Sequence, residues 1–146
     1  MLIPDTMLIA ATAFGQRLSA DAVAAGLARG LRTGGAPVPD VCLLEADERP
    51  QGDPRAHLDS IGFDVRMRRA RAVVIAAERL QERTLTGSMT FEIATRARQA
   101  GVPSYAITAV NLLEEFDARI LDLQLVIEAR TPRALRAAGE RLAALG

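Results

Sequence analysis

Short apolar runs alternate with longer amphipathic segments along the whole chain, and that rhythm restricts the fold more than any other feature. Met7 to Ala11 is apolar and ends at Thr12-Ala13-Phe14-Gly15, which reads as a buried strand and a turn. Ser19 then offers an N-cap, and Val23, Leu27 and Leu31 fall on one helical face before Gly34-Gly35 ends the segment. Val38 to Leu44 is a second strand; the proline at 39 suits a strand start or a sheet edge. Residues 45–56 are polar and broken by Pro50, Gly52 and Pro54, which predicts a loop, followed by a helical turn over Leu58 to Arg69. Ala72 to Ala76 is a third strand, Glu78 to Ser88 a polar loop, and Met89 to Ala100 a helix stopped by Gly101 before Pro103. Ser104 to Thr108 is a fourth strand. Asn111 is expected to cap a short helix through Ala118, and Leu121 to Ile127 is a fifth strand. Thr131-Pro132 opens a last helix with Leu135, Ala138, Leu142 and Leu145 as its apolar seam.

Strands alternating with helices in this way predict right-handed crossovers, and hence a mainly parallel five-stranded sheet with helices on both faces. The expected architecture is α/β: a single three-layer Rossmann-like (flavodoxin-like) domain over residues 1–146, with strand order 2-1-3-4-5. At 146 residues, 49% hydrophobic and 25% charged, the chain suits one such core.

Composition excludes several chemistries. Eighteen basic residues balance eighteen acidic ones, so general attraction to nucleic acid or to an anionic membrane is not expected. Every basic residue is Arg, which removes any mechanism that needs an in-chain lysine. One cysteine, Cys42, and one histidine, His57, cannot build a zinc cage or an internal disulfide. His57, expected in a loop, is too remote to activate Cys42, which reads as a core residue. Arg66, Arg68, Arg69 and Arg71 form a basic cluster without interleaved aromatics, which reads as a solvated helix end. No apolar stretch reaches the roughly 20 residues of a membrane span, and no secretory leader is visible, so the expected compartment is the cytoplasm.

In a sheet of this order, ligands bind beyond the carboxyl ends of the first and third strands. The loops Thr12 to Ser19 and Ala77 to Ser88 would meet there, each leading into a helix whose free N–H groups suit an anion. Arg17, Arg79 and Arg83 could add charge. The competing reading makes Ser19 and Ser88 ordinary caps and the arginines a solvated rim. A carboxylate at Glu78 would repel an anion if it pointed inward.

The same residues carry a resemblance. Gly62-Phe63-Asp64, followed by the run Ala70 to Ser88, aligns without a gap with the motif GFD…ADLVITGEGRLDxQTxxGK of the glycerate 2-kinase family. Phe14 and Leu18-Ser19-Ala20 resemble its PDSFKGSLSA segment, Asp47 its LADGGEGT segment, and Gly101-Val102-Pro103 its GVPVIALAG strand. Members are more than twice as long, and the region missing here falls between Asp47 and Gly62. The resemblance implies phosphoryl transfer from ATP with Mg2+ to D-glycerate, and a candidate anion or nucleotide site at Arg17, Ser19, Asp47, Arg79, Thr84, Gly87 and Ser88.

The departures from that pattern fall on its chemistry. Gly15 and Ser88 stand where the family has lysines, Ala77 where it has glutamate, Ala76 and Glu78 where it has glycines, and Gln81 where it has aspartate. Phosphoryl transfer depends on positioned cations, and losing one such clamp can cost on the order of 10²–10³ in rate. The expected function is therefore a catalytically degenerate, glycerate kinase-like binding or assembly module with a weak anion or nucleotide site. The alternative is glycerate kinase itself, alone or completed by another chain; no certain cofactor follows. Self-association is expected, through the edge strand Val38 to Leu44 or the last helix at Leu135, Leu142 and Leu145.

Overall fold

A computed structural model describes residues 5–44, 53–85 and 87–145. Asp47 and most of the expected loop 45–56 lie outside the described residues, as do the side chains of Arg83 and Leu85. The sheet is five-stranded and all parallel, in the order 2-1-3-4-5. Its strands are β1 (Leu8–Ala11), β2 (Asp40–Leu43), β3 (Val73–Leu80), β4 (Ser104–Asn111) and β5 (Leu123–Glu128). The helices are α1 (Ala20–Thr33), α2 (Pro54–Ser60), α3 (Phe63–Arg68), α4 (Met89–Ala100), α5 (Glu115–Ile120) and α6 (Pro132–Ala144).

All four residues of β1 are buried, as an inner strand covered on both sides must be. Strand alternation sends Ile9, Ala11, Val74 and Ala76 to a core beneath α1 and α6, and Leu8, Ala10, Val73 and Ile75 to a second core beneath α2, α3 and α4. On the first face, Gly30 of α1 and Gly139 of α6 bring the two backbones together: a Cβ on Gly139 would lie 2.9 Å from the Cα of Gly30.

Several boundaries differ from the sequence expectation: β2 starts at Asp40 rather than Val38 and β5 at Leu123 rather than Leu121, after the left-handed Asp122. β3 and β4 run on to Leu80 and Asn111, pairing Arg79 with Val110 and Leu80 with Asn111, so the start of the expected 78–88 loop is strand. A 3-10 turn at Glu82–Leu85 follows. Asn111 ends a strand instead of capping a helix; its Oδ1 accepts from Leu113 N, and α5 starts after Glu114. The helical turn expected over Leu58 to Arg69 is two helices, α2 and α3, separated by Gly62 in the left-handed conformation at φ 66°. Its earlier start at Pro54 places His57 on α2 instead of in a loop. The last helix corrects the expectation of an open seam, since Leu135 and Leu142 are fully buried against α1 and only Leu145 stays exposed.

Candidate functional site

β1 lies between β2 and β3, so strand order reverses at the β1–β3 pair, where a sheet of this kind opens its ligand crevice. Thr12 closes the end of that pair: its N–H and its hydroxyl both donate to the Ala76 carbonyl, at 2.9 and 3.0 Å. The chain then makes a tight turn in which Phe14 N donates to Leu18 O at 2.8 Å, with Gly15 left-handed at φ 59° and Phe14 buried. That geometry needs Gly15, and it turns Phe14 back into the core under α1. What faces Gly15 from the neighbouring strand is the carboxylate of Glu78, so close that a Cβ at 15 would collide with it.

The candidate hydroxyls all bond the backbone. Ser19 Oγ accepts from Ala22 N at 3.1 Å and caps α1. Ser88 Oγ accepts from Phe91 N at 2.9 Å, caps α4, and donates to the Thr84 carbonyl. Thr84 is buried, and its Oγ1 accepts from Gln81 N at 3.0 Å. Gly87 is exposed and left-handed, at φ 71°. The side chains of Arg17 and Arg79 are exposed and make no hydrogen bond or ion pair among the described residues.

The structure thus brings Glu78 to the first loop and gathers Thr84, Gly87 and Ser88 at the start of α4. Ser19 and Ser88 begin helices on opposite faces of the sheet. Asp21 in the first turn of α1 adds negative charge where an anion would sit, whereas Glu92 in that of α4 is paired with Arg55 and Arg96. Across Glu78-Arg79 the strict strand alternation lapses, because Ala77 and Leu80, three apart, share one cluster. Glu78 was legible as a hazard to an anion; its placement against Gly15 follows from β3 continuing as strand.

Elsewhere two arginines hold elements together. Arg66, from the expected solvated cluster, grips Asp40 through both Nε and Nη2 at 3.0 and 2.7 Å, and also donates to the Val41 carbonyl. That bidentate bond holds the Asp40 carboxyl below its ordinary range. Beside it Cys42 is buried and free, and burial pushes its thiol pKa up, which suits a core residue. Arg96 on α4 donates to Asp59 and Asp64 at 3.0 Å each and meets Glu92 at 3.4 Å. A pocket of about 270 Å3 beside α3 and α4 includes Arg96 and Asp64 in its lining, but the Arg96 charge there is already matched. Only the i, i+4 spacing of Glu92 and Arg96 is visible in the sequence; the aspartate partners of the two arginines are 26 to 37 residues away.

Among the described residues, no helix is long and apolar enough to cross a membrane. A scan against models of known protein families matches none, and a search of curated proteins finds no match.

Proposed function

We propose that this chain is a binding or assembly module built on half of a glycerate kinase-like scaffold and that it does not transfer phosphoryl groups. The observation that carries this reading is the Glu78 carboxylate against Gly15, at the crevice where a phosphate would have to be received. Glu78 is exposed, so its repulsion of a phosphate is screened by water but still opposes binding, and no lysine in this chain offsets it. Ser88 uses its hydroxyl both ways, accepting from Phe91 N and donating to the Thr84 carbonyl, whereas the Ser19 and Thr84 hydroxyls accept a backbone N–H and each keeps its O–H donor. Arg17 and Arg79 leave room for a weakly held small anion, with Glu78 opposing it.

The test is ADP release from ATP and Mg2+ with D-glycerate, compared with an Arg79→Ala control. The expected result is the same background for both. Turnover clearly above the control would establish the kinase reading instead. The weak anion site has its own readout: a phosphate titration should give a shallow response in the wild type and one about tenfold tighter in Glu78→Gln, as removal of a neighbouring like charge allows. An unchanged response in that variant would remove Glu78 from the site.

A further inference from the structure

We propose that the groove between α1 and the residues entering β2 binds a small carboxylate with an apolar body, held by the guanidinium groups of Arg29 and Arg32. This site goes beyond the crevice reading and does not rest on it. Val38 and Pro39 precede β2, so in an all-parallel sheet they lie at the amino ends of the strands, on the opposite rim from Gly15 and Glu78. A cavity of about 240 Å3 opens there, lined by Ala25, Ala28, Arg29, Arg32, Val38 and Pro39. Local sequence explains the hollow. Positions 25, 28, 29 and 32 recur at helical spacing and share one side of α1, with short side chains at 25 and 28 between the two long ones. Across the groove, Pro39 restricts Val38 to extended backbone, and Val38 is left 69% exposed, the highest value among the large apolar side chains described.

Two features select the ligand. The first is charge without a partner. Arg66 and Arg96 are matched by carboxylates, whereas the side chains of Arg29 and Arg32 make no hydrogen bond or ion pair among the described residues. Of the acidic residues closest to them in the chain, Asp40 is gripped by Arg66 and Asp21 lies two turns before Arg29 on α1. Like charges three apart on a helix repel, and one anion shared between them removes that cost. A carboxylate suits guanidinium groups, which meet its two oxygens through parallel N–H donors. Arg32 lies in the last turn of α1, where a cation suits the helix terminus; Arg29, a turn earlier, has no such role. The second feature is the apolar remainder of the lining. A bare inorganic anion would leave Val38, Pro39 and the two alanines in water, whereas an aromatic or branched body covers them. The volume is below the roughly 300–1,000 Å3 of pockets for drug-sized ligands, and a cavity of about 150 Å3 takes benzene, so this one suits a single ring with its carboxylate.

The experiment is amide NMR with phenylacetate as the probe, alongside acetate, which keeps the charge, and 2-phenylethanol, which keeps the ring. Phenylacetate should shift the amides of Arg29, Arg32 and Val38 with a Kd in the millimolar range, and the two comparison probes should bind at least about fivefold more weakly. Arg29→Gln and Arg32→Gln alter exposed side chains and should keep the circular dichroism of the wild type. Each should weaken phenylacetate about threefold, and the two together about tenfold, as exposed ion pairs allow. Val38→Ser should weaken phenylacetate and leave acetate unchanged, a split that loss of charge does not produce. Arg79→Gln, on the opposite rim, should change nothing. Shifts at Gly15 and Ser19 that vanish in Arg79→Gln would move the carboxylate to the crevice and refute the groove. An absence of shifts around Val38 at tens of millimolar phenylacetate, or acetate binding as tightly as phenylacetate, overturns the proposal as well.

Discussion

The two faces of the sheet are held by different physics. Beneath α1 and α6 the contact is backbone on backbone at Gly30 and Gly139, surrounded by Val23, Leu27, Leu31, Leu135 and Leu142, all fully buried. Beneath α2, α3 and α4 the helices are shorter. There an apolar layer of Leu58, Phe63, Met67 and Ile93 is supplemented at its rim by arginines that reach from helix to helix and from helix to strand. The first arrangement depends on shape and is indifferent to salt and pH. The second includes charge, and part of its strength can be titrated or screened. A short helix cannot bury enough on its own, so α2 and α3 gain from an ion-paired tie that α1 and α6 do not need.

The largest expected effect comes from Gly30→Ala. Alanine is the better helix former by about 1 kcal/mol, so on an open helix face this change would stabilise. Here the new Cβ meets the Arg136 carbonyl, with the Gly139 Cα 2.8 Å away, and backbone cannot swing aside as a side chain can. Packing wins over propensity, and urea unfolding should show a loss of about 3 kcal/mol. The loss should be the same in low and high salt. A stabilised Gly30→Ala protein would mean that α1 and α6 do not make this contact.

Next is Arg96→Met, which keeps much of the aliphatic stem but leaves Asp59, Asp64 and Glu92 without their shared cation. Arg96 is only 12% exposed, while its aspartate partners are more open, so the expected loss is about 2 kcal/mol by urea unfolding. Unlike the glycine substitution, it should shrink at high salt. Equal losses at both salt concentrations would assign Arg96 to packing alone and erase the contrast between the faces.

The difference between faces also decides what could be read from the sequence. Helical spacing exposed Leu135, Ala138 and Leu142 as one apolar seam, and the cap residues Ser19, Ser88 and Thr131 were legible because capping is local chemistry. That the seam meets α1 was not legible, because a glycine in a helix announces a close approach only once its neighbour is known. The parallel sheet with helices on both faces followed from alternation and handedness, whereas the order 2-1-3-4-5 is one of several that those rules admit. The Arg66 and Arg96 ties join residues far apart in the chain, and a basic cluster looks the same whether it is solvated or paired. At the crevice, the candidates Thr84 and Ser88 were visible, but their use in turning the chain depends on geometry that the sequence pattern does not encode.

The smallest effect, and the one with a defined pH signature, belongs to Asp40. Its carboxyl is held below the ordinary value, first by the side-chain hydrogen bonds from Arg66, against an opposing contribution from burial. In the unfolded chain an aspartate binds its proton near pH 4, so above that pH both states are ionised and the Arg66 pair contributes in full. As pH falls below about 4 the unfolded chain takes up the proton first, and the contribution drains away until the folded carboxyl is protonated as well. Asp40→Asn keeps the shape and leaves the Arg66 bond to the Val41 carbonyl in place, so it isolates the charge. Because Asp40 is 44% exposed, the difference from wild type at neutral pH should be below about 1 kcal/mol. It should narrow steadily on acidification, and shrink also with salt. Urea unfolding of both proteins from neutral pH to about pH 2 measures it directly. A difference that stays constant over that range would show that Asp40 ties β2 to α3 by shape rather than by charge, and the charged rim of this face would then rest on the arginines that meet Glu92, Arg96 and Arg55.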